Sequence, residues 1–336
     1  MCLVKVGING FGRIGRQAFK AMIANKKIDV VAINDLTDAK TLAHLLQFDS
    51  VYGKFAGKIQ ADSNGLIVDG KKVRTLAEKD PTKLPWKDLG VEIVLESTGI
   101  FRTAEQAGMH LSAGAKKVII SAPPKDEAGA QFILNMNTGR YDPKKDHVLS
   151  MASCTTNCLA PMVKVLLDGV GIESGFMTTV HAYTADQMLV DGPHKDLRRA
   201  RSAAINIVPT STGAAKAIGA VFPELKGKLD GIALRVPVPT GSITDFTCVT
   251  KRETSAEEVN GLFKKAAQGV LSKNLEYSEE EIVSSDVIGN PHGCIFDSKL
   301  TKASGKLVKV LGWYDNEWGY SALLADFIQF IASKGL

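Results

Sequence analysis

Val6-Gly-Ile-Asn-Gly-Phe-Gly-Arg-Ile-Gly15 is the end of a short apolar strand running through a glycine-rich turn into a helix. Leu3 to Ile8 supplies the strand, and Arg13 to Ala24 places Ile14, Ala18, Ala21 and Met22 at helical spacing. The three glycines have separate jobs. Gly10 allows the tight turn, Gly12 lets backbone approach a pyrophosphate, and Gly15 allows close helix–sheet packing. The helix N-terminus offers N–H groups and a positive dipole end to phosphates. Asp35 follows Gly15 by twenty residues, at the end of the next strand, Val30 to Asn34. An acid there accepts from ribose hydroxyls and repels a 2′-phosphate, which favours NAD over NADP. A glycine-rich turn without a ligand competes with this reading, as does a plain loop or cap role for Asp35.

Outward from this motif, apolar runs recur at Val91 to Leu95, Val118 to Ile120 and Val148 to Met151. Strands alternating with helical segments predict a doubly wound parallel sheet, a Rossmann-type α/β domain. Asn64-Gly65 and Asp69-Gly70 are hairpin dipeptides, so Lys58 to Leu76 is expected to be antiparallel. The texture changes near Ser150. Longer strands follow at Gly175 to Val180, Ile232 to Val238, Ile243 to Lys251 and Lys306 to Tyr314. Ser255-Ala-Glu-Glu258 reads as a capping box opening a helix to about Leu271, and Trp318 to Ser333 as a terminal amphipathic helix. The expected division is a dinucleotide-binding domain at 1–151 joined by the helix 318–336, with an α+β catalytic domain at 152–317 whose sheet is mostly antiparallel.

The 336 residues, 45% hydrophobic and 23% charged, have ample apolar content for two cores, so disorder is excluded as the main state. A net charge of +5 fits small anionic ligands and does not call for nucleic acid. No apolar run is long enough for a membrane span, and the N-terminus reads as a strand rather than a signal peptide. Cys2, Cys154, Cys158, Cys248 and Cys294 are an odd, sparse set, which points to free thiols in a reducing compartment.

Cys154 lies in Ser150-Met-Ala-Ser-Cys-Thr-Thr-Asn-Cys158, between an apolar strand and the apolar helix Leu159 to Leu167. At a helix N-terminus the dipole and N–H groups favour the nucleophilic thiolate. Cys158, one turn further in, reads as a small buried hydrophobe. The spacing is not that of a metal site, and none is expected. His181, at the mouth of a strand in Val180-His-Ala-Tyr-Thr184, is placed to move a proton to and from the thiol. On cysteine or histidine alone, a buried thiol and an ordinary histidine would be the simpler readings.

Three segments carry anion chemistry. His194-Lys-Asp-Leu-Arg-Arg-Ala-Arg201 is basic and is either a solvated face or a binding segment. Thr210-Ser-Thr-Gly-Ala-Ala-Lys216 opens a helix with hydroxyls and N–H groups suited to phosphate, or with simple capping by Thr212. In Gly231-Ile-Ala-Leu-Arg-Val-Pro-Val-Pro239, the residues Ile232, Leu234, Val236 and Val238 share one strand face. Arg235 lies on the other, between small neighbours, ready for a phosphate or a salt bridge.

These segments together resemble the phosphorylating glyceraldehyde-3-phosphate dehydrogenase family over essentially the whole chain. The resemblance is carried by Val6 to Gly15, Ser153-Cys-Thr-Thr-Asn157, His181-Ala-Tyr-Thr184, Pro209 to Lys216, Arg235-Val-Pro237 and Trp313-Tyr-Asp-Asn-Glu-Trp318. It implies Cys154 as nucleophile and His181 as base and acid. It implies a substrate-phosphate site at Thr184, Asp186 and Arg235. A second site, for inorganic phosphate, would use Ser153, Thr155, Arg199, Thr212 and Gly213. NAD contacts are implied at Gly10, Phe11, Gly12, Arg13, Ile14, Asn34, Asp35, Ser97, Thr98, Ser121, Asn316 and Tyr320, with Asn316 on the nicotinamide carboxamide. It further implies a cytoplasmic homotetramer with the segment Tyr183 to Arg201 at a subunit contact, and no membrane or specific nucleic-acid partner. The runner-up within the same fold is an erythrose-4-phosphate dehydrogenase, whose thioester is hydrolysed.

Overall fold

A computed structural model describes residues 3–126 and 130–336. Cys2 lies outside them. The described residues form two compact units, one of residues 3–126, 130–132, 140–152 and 321–336, the other of 133–139 and 153–320. None of their helices is long and apolar enough to cross a membrane.

The first unit is built on a sheet whose described strands run in the order Ala130–Gln131, Val148–Ser150, Lys117–Ile120, Ile93–Glu96, Val4–Asn9, Ile28–Asn34, Lys71–Leu76, Gly65–Val68, Ile59–Asp62. The seven strands up to Lys71–Leu76 are mutually parallel. The chain starts in the middle, winds out to one side and returns to the other. The order therefore reverses beside Val4–Asn9, the place where open α/β sheets bind ligands at their strand ends. Strand interiors are apolar because both faces are covered: Val6, Ile8, Ile93, Val94, Leu95 and Val118 are all fully buried. The hairpin prediction for Lys58 to Leu76 holds at both turns, since Ile59–Asp62, Gly65–Val68 and Lys71–Leu76 pair antiparallel in succession. On its other edge Lys71–Leu76 pairs parallel with Ile28–Asn34, which joins the hairpins to the sheet.

The second unit carries a mostly antiparallel sheet in the order Val208–Ser211, Leu229–Val236, Ile172–Ala182, Ser242–Thr250, Leu307–Tyr314, Cys294–Asp297, Leu275–Ser278. Two pairs depart from that pattern. Ile172–Ala182 runs parallel to Leu229–Val236, and Leu275–Ser278 parallel to Cys294–Asp297. The strand expected over Ile232 to Val238 stops at Val236, because Pro237 has no N–H to give the ladder. The helix expected to reach Leu271 is Ala256–Gln268. Ser255 caps it through the Glu258 N–H, but the Glu258 carboxylate turns to Arg252 and Thr254, so only half of the capping box forms.

Burial alternates along Ile172–Ala182. Met177, Thr179 and His181 face inward, while Phe176 is 73% exposed. Ile232 is also largely exposed and Ala233 buried, so the apolar face read at Ile232 is the outer one and Arg235 lies on the inner face. The helix Cys154–Gly169 has nearly every residue from Thr155 to Leu166 buried. Gly312 lets it sit tight on the strand Leu307–Tyr314. A Cβ there would come within 2.6 Å of Cys294 Sγ and 3.2 Å of Cys158 Sγ. Cys158 is fully buried, as the bland reading of it required.

Candidate active site

Ser153 ends the chain's entry to the helix Cys154–Gly169 and caps it, its hydroxyl accepting the Thr156 N–H at 3.1 Å. Cys154 is thereby the first helical residue. The neighbouring Ala152 takes a left-handed φ of 54°, a sharp turn that feeds the thiol into the site. His181 comes from the end of Ile172–Ala182, with Nε2 at 3.4 Å from Cys154 Sγ. The other ring nitrogen, Nδ1, lies 2.7 Å from the Ala182 carbonyl. A carbonyl only accepts, so Nδ1 carries the proton and Nε2 faces the thiol bare. Parallel pairing of the two strands sets Arg235 beside His181. Arg235 Nη1 donates to the same Ala182 carbonyl at 2.9 Å and reaches Thr184 Oγ1 at 3.4 Å. It also lies 2.9 Å from His181 Nδ1, because both nitrogens converge as donors on the two lone pairs of one carbonyl. Arg235 Nε is buried and has no hydrogen-bond partner among the described residues, so the guanidinium keeps a donor for an anion.

Burial pushes the Cys154 thiol up to about 11, against the lowering pull of Arg235 and of the Thr155 hydroxyl and N–H. The helix-end N–H of Thr155 does pull toward the thiolate, as expected, but removal from water outweighs it. Burial, with Arg235 next, pushes His181 down to about 3. Both shifts penalise a lone charge. Transfer of the proton from Sγ to Nε2 creates two opposite charges at 3.4 Å, and in a dry site their attraction offsets much of that penalty.

The remaining anion residues are regrouped. Asp186, expected beside Arg235, is ion-paired with Arg199. Burial pushes its carboxyl up, but the Arg199 hydrogen bond and charge win and hold it below the ordinary range. Arg199 Nε also donates to Thr210 Oγ1 at 2.9 Å, which fixes the guanidinium. The Thr155 hydroxyl does not face an open site; it is buried against the Tyr314 hydroxyl at 2.9 Å. Thr212 accepts from Ala214 N at 3.2 Å, with Gly213 at the N-cap of Ala214–Val221. The plain capping reading of Thr212 is thus present, in a helix that no side chain of Gly213 can cap. Asn316 is buried, its Oδ1 accepting from Ser242 Oγ at 2.9 Å and Thr240 Oγ1 at 3.2 Å, which leaves Nδ2 as the donating end. Tyr320 is 4% exposed.

Tyr314 is a residue of this site that sequence reasoning missed. It bridges Thr155 and Thr179, at 2.9 and 2.7 Å, and its ring meets that of His181 in a T-shaped contact. One hydroxyl thus ties the cysteine helix to the histidine strand. The only sequence signal was its place inside Trp313 to Trp318.

In the first unit a cavity of about 540 Å³ opens at the strand ends, lined among others by Gly10, Gly12, Asn34, Asp35, Ser97 and Thr98. Gly10 takes φ +91°, and a Cβ on Gly15 would collide with the Gly10 carbonyl oxygen. A Cβ on Gly12 would meet nothing within 4 Å, so open space remains above it. The helix Arg13–Ile23 has no side-chain cap. This uncapped helix end under an open glycine fits a pyrophosphate. Asp35 accepts from Phe11 N at 2.8 Å and Thr37 N at 3.0 Å, which clamps the glycine turn and still leaves acceptor positions on its carboxylate. Phe11 itself is buried edge-on against Phe19, and Arg13 is held by Asp49 at 2.8 Å, so neither side chain lines the cavity. Ile14 and Ser121 do not line it either. Leu36, Glu78, Lys79 and Phe101, not singled out in the sequence, do.

Two family models match: the glyceraldehyde 3-phosphate dehydrogenase NAD-binding domain at residues 4–104, and the C-terminal domain of the same family at 153–316. The chain belongs to the glyceraldehyde-3-phosphate dehydrogenase family. Glyceraldehyde-3-phosphate dehydrogenase 2 of Streptomyces arenae is 56% identical over 332 residues, covering 98% of this chain and 99% of the relative. The Geobacillus stearothermophilus enzyme is 55% identical over 334 residues, 99% of each chain. That of Mycobacterium avium is 56% identical over 338 residues, 98% of this chain and 99% of the relative.

Proposed function

We propose that Cys154 and His181 carry the reaction of this family, the NAD-dependent conversion of glyceraldehyde 3-phosphate to 1,3-bisphosphoglycerate. The observation that carries this reading is the 3.4 Å approach of a bare Nε2 to Sγ beside the unpartnered donor of Arg235. The division of labour is an NAD-binding domain at 1–151 with the helix 318–336, and a catalytic domain at 152–317.

Cys154 Sγ adds to the aldehyde carbon, and the thiol proton passes by way of His181 Nε2 to the aldehyde oxygen, giving a hemithioacetal. The Cys154 N–H, at the helix end, donates to that oxygen while it is negative. NAD, when bound, supplies the hydride acceptor. His181 takes the hydroxyl proton as the carbon is oxidised, which leaves a thioester on Cys154 and an imidazolium. Inorganic phosphate then attacks the thioester carbon, the carbon–sulfur bond breaks, and His181 returns its proton to the leaving sulfur. Arg235 and Thr184 hold the substrate phosphate. Ser153, Thr212, Gly213 and Arg199, the last oriented by Asp186, surround the attacking one, while Thr155 stands behind them with its hydroxyl turned to Tyr314. Asn316, through Nδ2, would hold the carboxamide of the nicotinamide, and Asp35 would accept from the adenosine ribose.

We further assign a homotetramer in the cytoplasm. Leu189, Val190, Leu197, Ile205 and Ile207 are each at least 67% exposed along one segment, an apolar surface that a partner copy would cover. The four described cysteines are free thiols, in keeping with a reducing compartment.

The deciding experiment is the initial rate of NADH formation from glyceraldehyde 3-phosphate with and without inorganic phosphate, with NADP in parallel. A rate that requires phosphate and NAD is expected. A rate indifferent to phosphate would overturn the phosphorylating step and move the assignment to a hydrolysed thioester, with erythrose 4-phosphate the next substrate.

A further inference from the structure

Three strand ends under the NAD cavity carry buried polar residues, each directly after a fully buried apolar one, Ile8, Ile33 or Leu95. Asn9 pairs in register with Asn34 on one side and Glu96 on the other. They are 2%, 5% and 1% exposed. Buried polar groups are costly unless bonded, and these are bonded into one chain. Asn34 Nδ2 donates to Asn9 Oδ1 at 2.7 Å, and Asn9 Nδ2 donates to Glu96 Oε2 at 2.5 Å. The same Oε2 lies 3.1 Å from His110 Nε2, and His110 Nδ1 lies 3.0 Å from Trp86 Nε1. An indole N–H can only donate, so Nδ1 of His110 is bare and Nε2 carries the proton toward Glu96. Glu96 Oε1 accepts the Thr98 N–H at 2.8 Å and the Thr98 hydroxyl. The carboxylate thus meets four donors, and no Lys or Arg pairs with it among the described residues.

Two of the residues that supply those donors, Asn9 and Thr98, line the cavity, and the intervening Ser97 hydroxyl donates to the Gly10 carbonyl at 2.7 Å. His110 and Trp86 do not line it. We propose that Glu96 is a positioning residue for the dinucleotide, holding the Asn9 and Thr98 walls of its pocket, and that His110, oriented by Trp86, sets Glu96 in turn. This inference rests on the assignment of that cavity to NAD.

The test is titration of NAD by calorimetry, with kcat, KM for NAD and Tm, on the wild type, Glu96→Gln, His110→Leu and His110→Gln. An amide at position 96 turns a donor toward donors. Leucine at 110 removes both of the histidine's bonds. Glutamine at 110 can keep both, accepting from Trp86 and donating to Glu96. Glu96→Gln and His110→Leu are expected to raise the Kd for NAD at least about tenfold with kcat at saturating NAD within about twofold, while His110→Gln stays within about threefold of the wild type. A lowered Tm with an unchanged Kd in the first two variants would overturn the positioning role, as would a glutamine variant as weak as the leucine one. If Glu96→Gln does not fold, the His110 pair decides. A wild type that binds no NAD would overturn the cavity assignment and this inference with it, an outcome distinct from equal binding by wild type and variants.

Discussion

A thiol that faces a bare imidazole nitrogen gives up its proton to that nitrogen far more readily than to water, when both partners are buried. Cys154 alone is pushed up to about 11 by burial, so below that pH the lone group is a neutral thiol. Alkylation of Cys154 by iodoacetamide should then differ between the wild type and His181→Asn. The variant's rate should climb about tenfold per pH unit from about 7 to about 10, because only the lone thiolate reacts. The wild type should reach its plateau at markedly lower pH, since His181 takes the proton. Superimposable profiles would remove His181 as the partner. The same variant should slow acylation by about 10²–10⁴. Cys154→Ser should abolish NADH formation while NAD binding by calorimetry stays within about twofold, and a retained rate above a few per cent would reassign the nucleophile. At this scale the sequence was legible where chemistry has a local frame. Cys154 stands between a strand and a helix, and His181 at a strand mouth. Tyr314 and the Arg199–Asp186 pair were not legible, because strand register and an irregular segment bring them to their partners, and neither leaves a local pattern.

Among the elements, the glycine turn shows two different reasons for the same residue. Gly15 is closed against the Gly10 carbonyl, so Gly15→Ala should lower Tm by several degrees and weaken NAD together, the cost of overpacking being about 1–3 kcal/mol. Gly12 is open, so Gly12→Ala should leave Tm nearly unchanged and weaken NAD alone. Equal effects on Tm from both would show that the space above Gly12 is not where the ligand lies. The alternation of strands and helices in the first unit could be read directly, because buried parallel strands are short unbroken apolar runs. Partners were harder. Nothing in Lys71–Leu76 says that it pairs parallel with Ile28–Asn34, and nothing in Leu229–Val236 says that its inner face is the one bearing Arg235. Its inner face is read only once His181 is known to lie beside it.

For the whole molecule, the tetramer we propose would cover the exposed apolar side chains from Leu189 to Ile207 and the outward Phe176 and Ile232. Light scattering should give four times the 36.0 kDa of one chain. Leu197→Asp, at an 81% exposed position, should lower that mass without unfolding the chain, as checked by circular dichroism. A mass unchanged by the substitution would place the contact elsewhere.

The proposed nucleophile and base stand on a buried helix and a central strand, whereas residues 185–207, beyond Thr184, form neither helix nor strand. Elements of the first kind open only with the whole domain, and irregular segments open locally. Gentle heating or dilute urea should therefore produce an enzyme that still acylates Cys154 but has lost the grip we assign to Arg199 on the incoming oxyanion. Such a form would stall as a long-lived thioester, visible as a burst of one NADH per active site with little turnover behind it. The order of failure would be product transfer first and bond-making last.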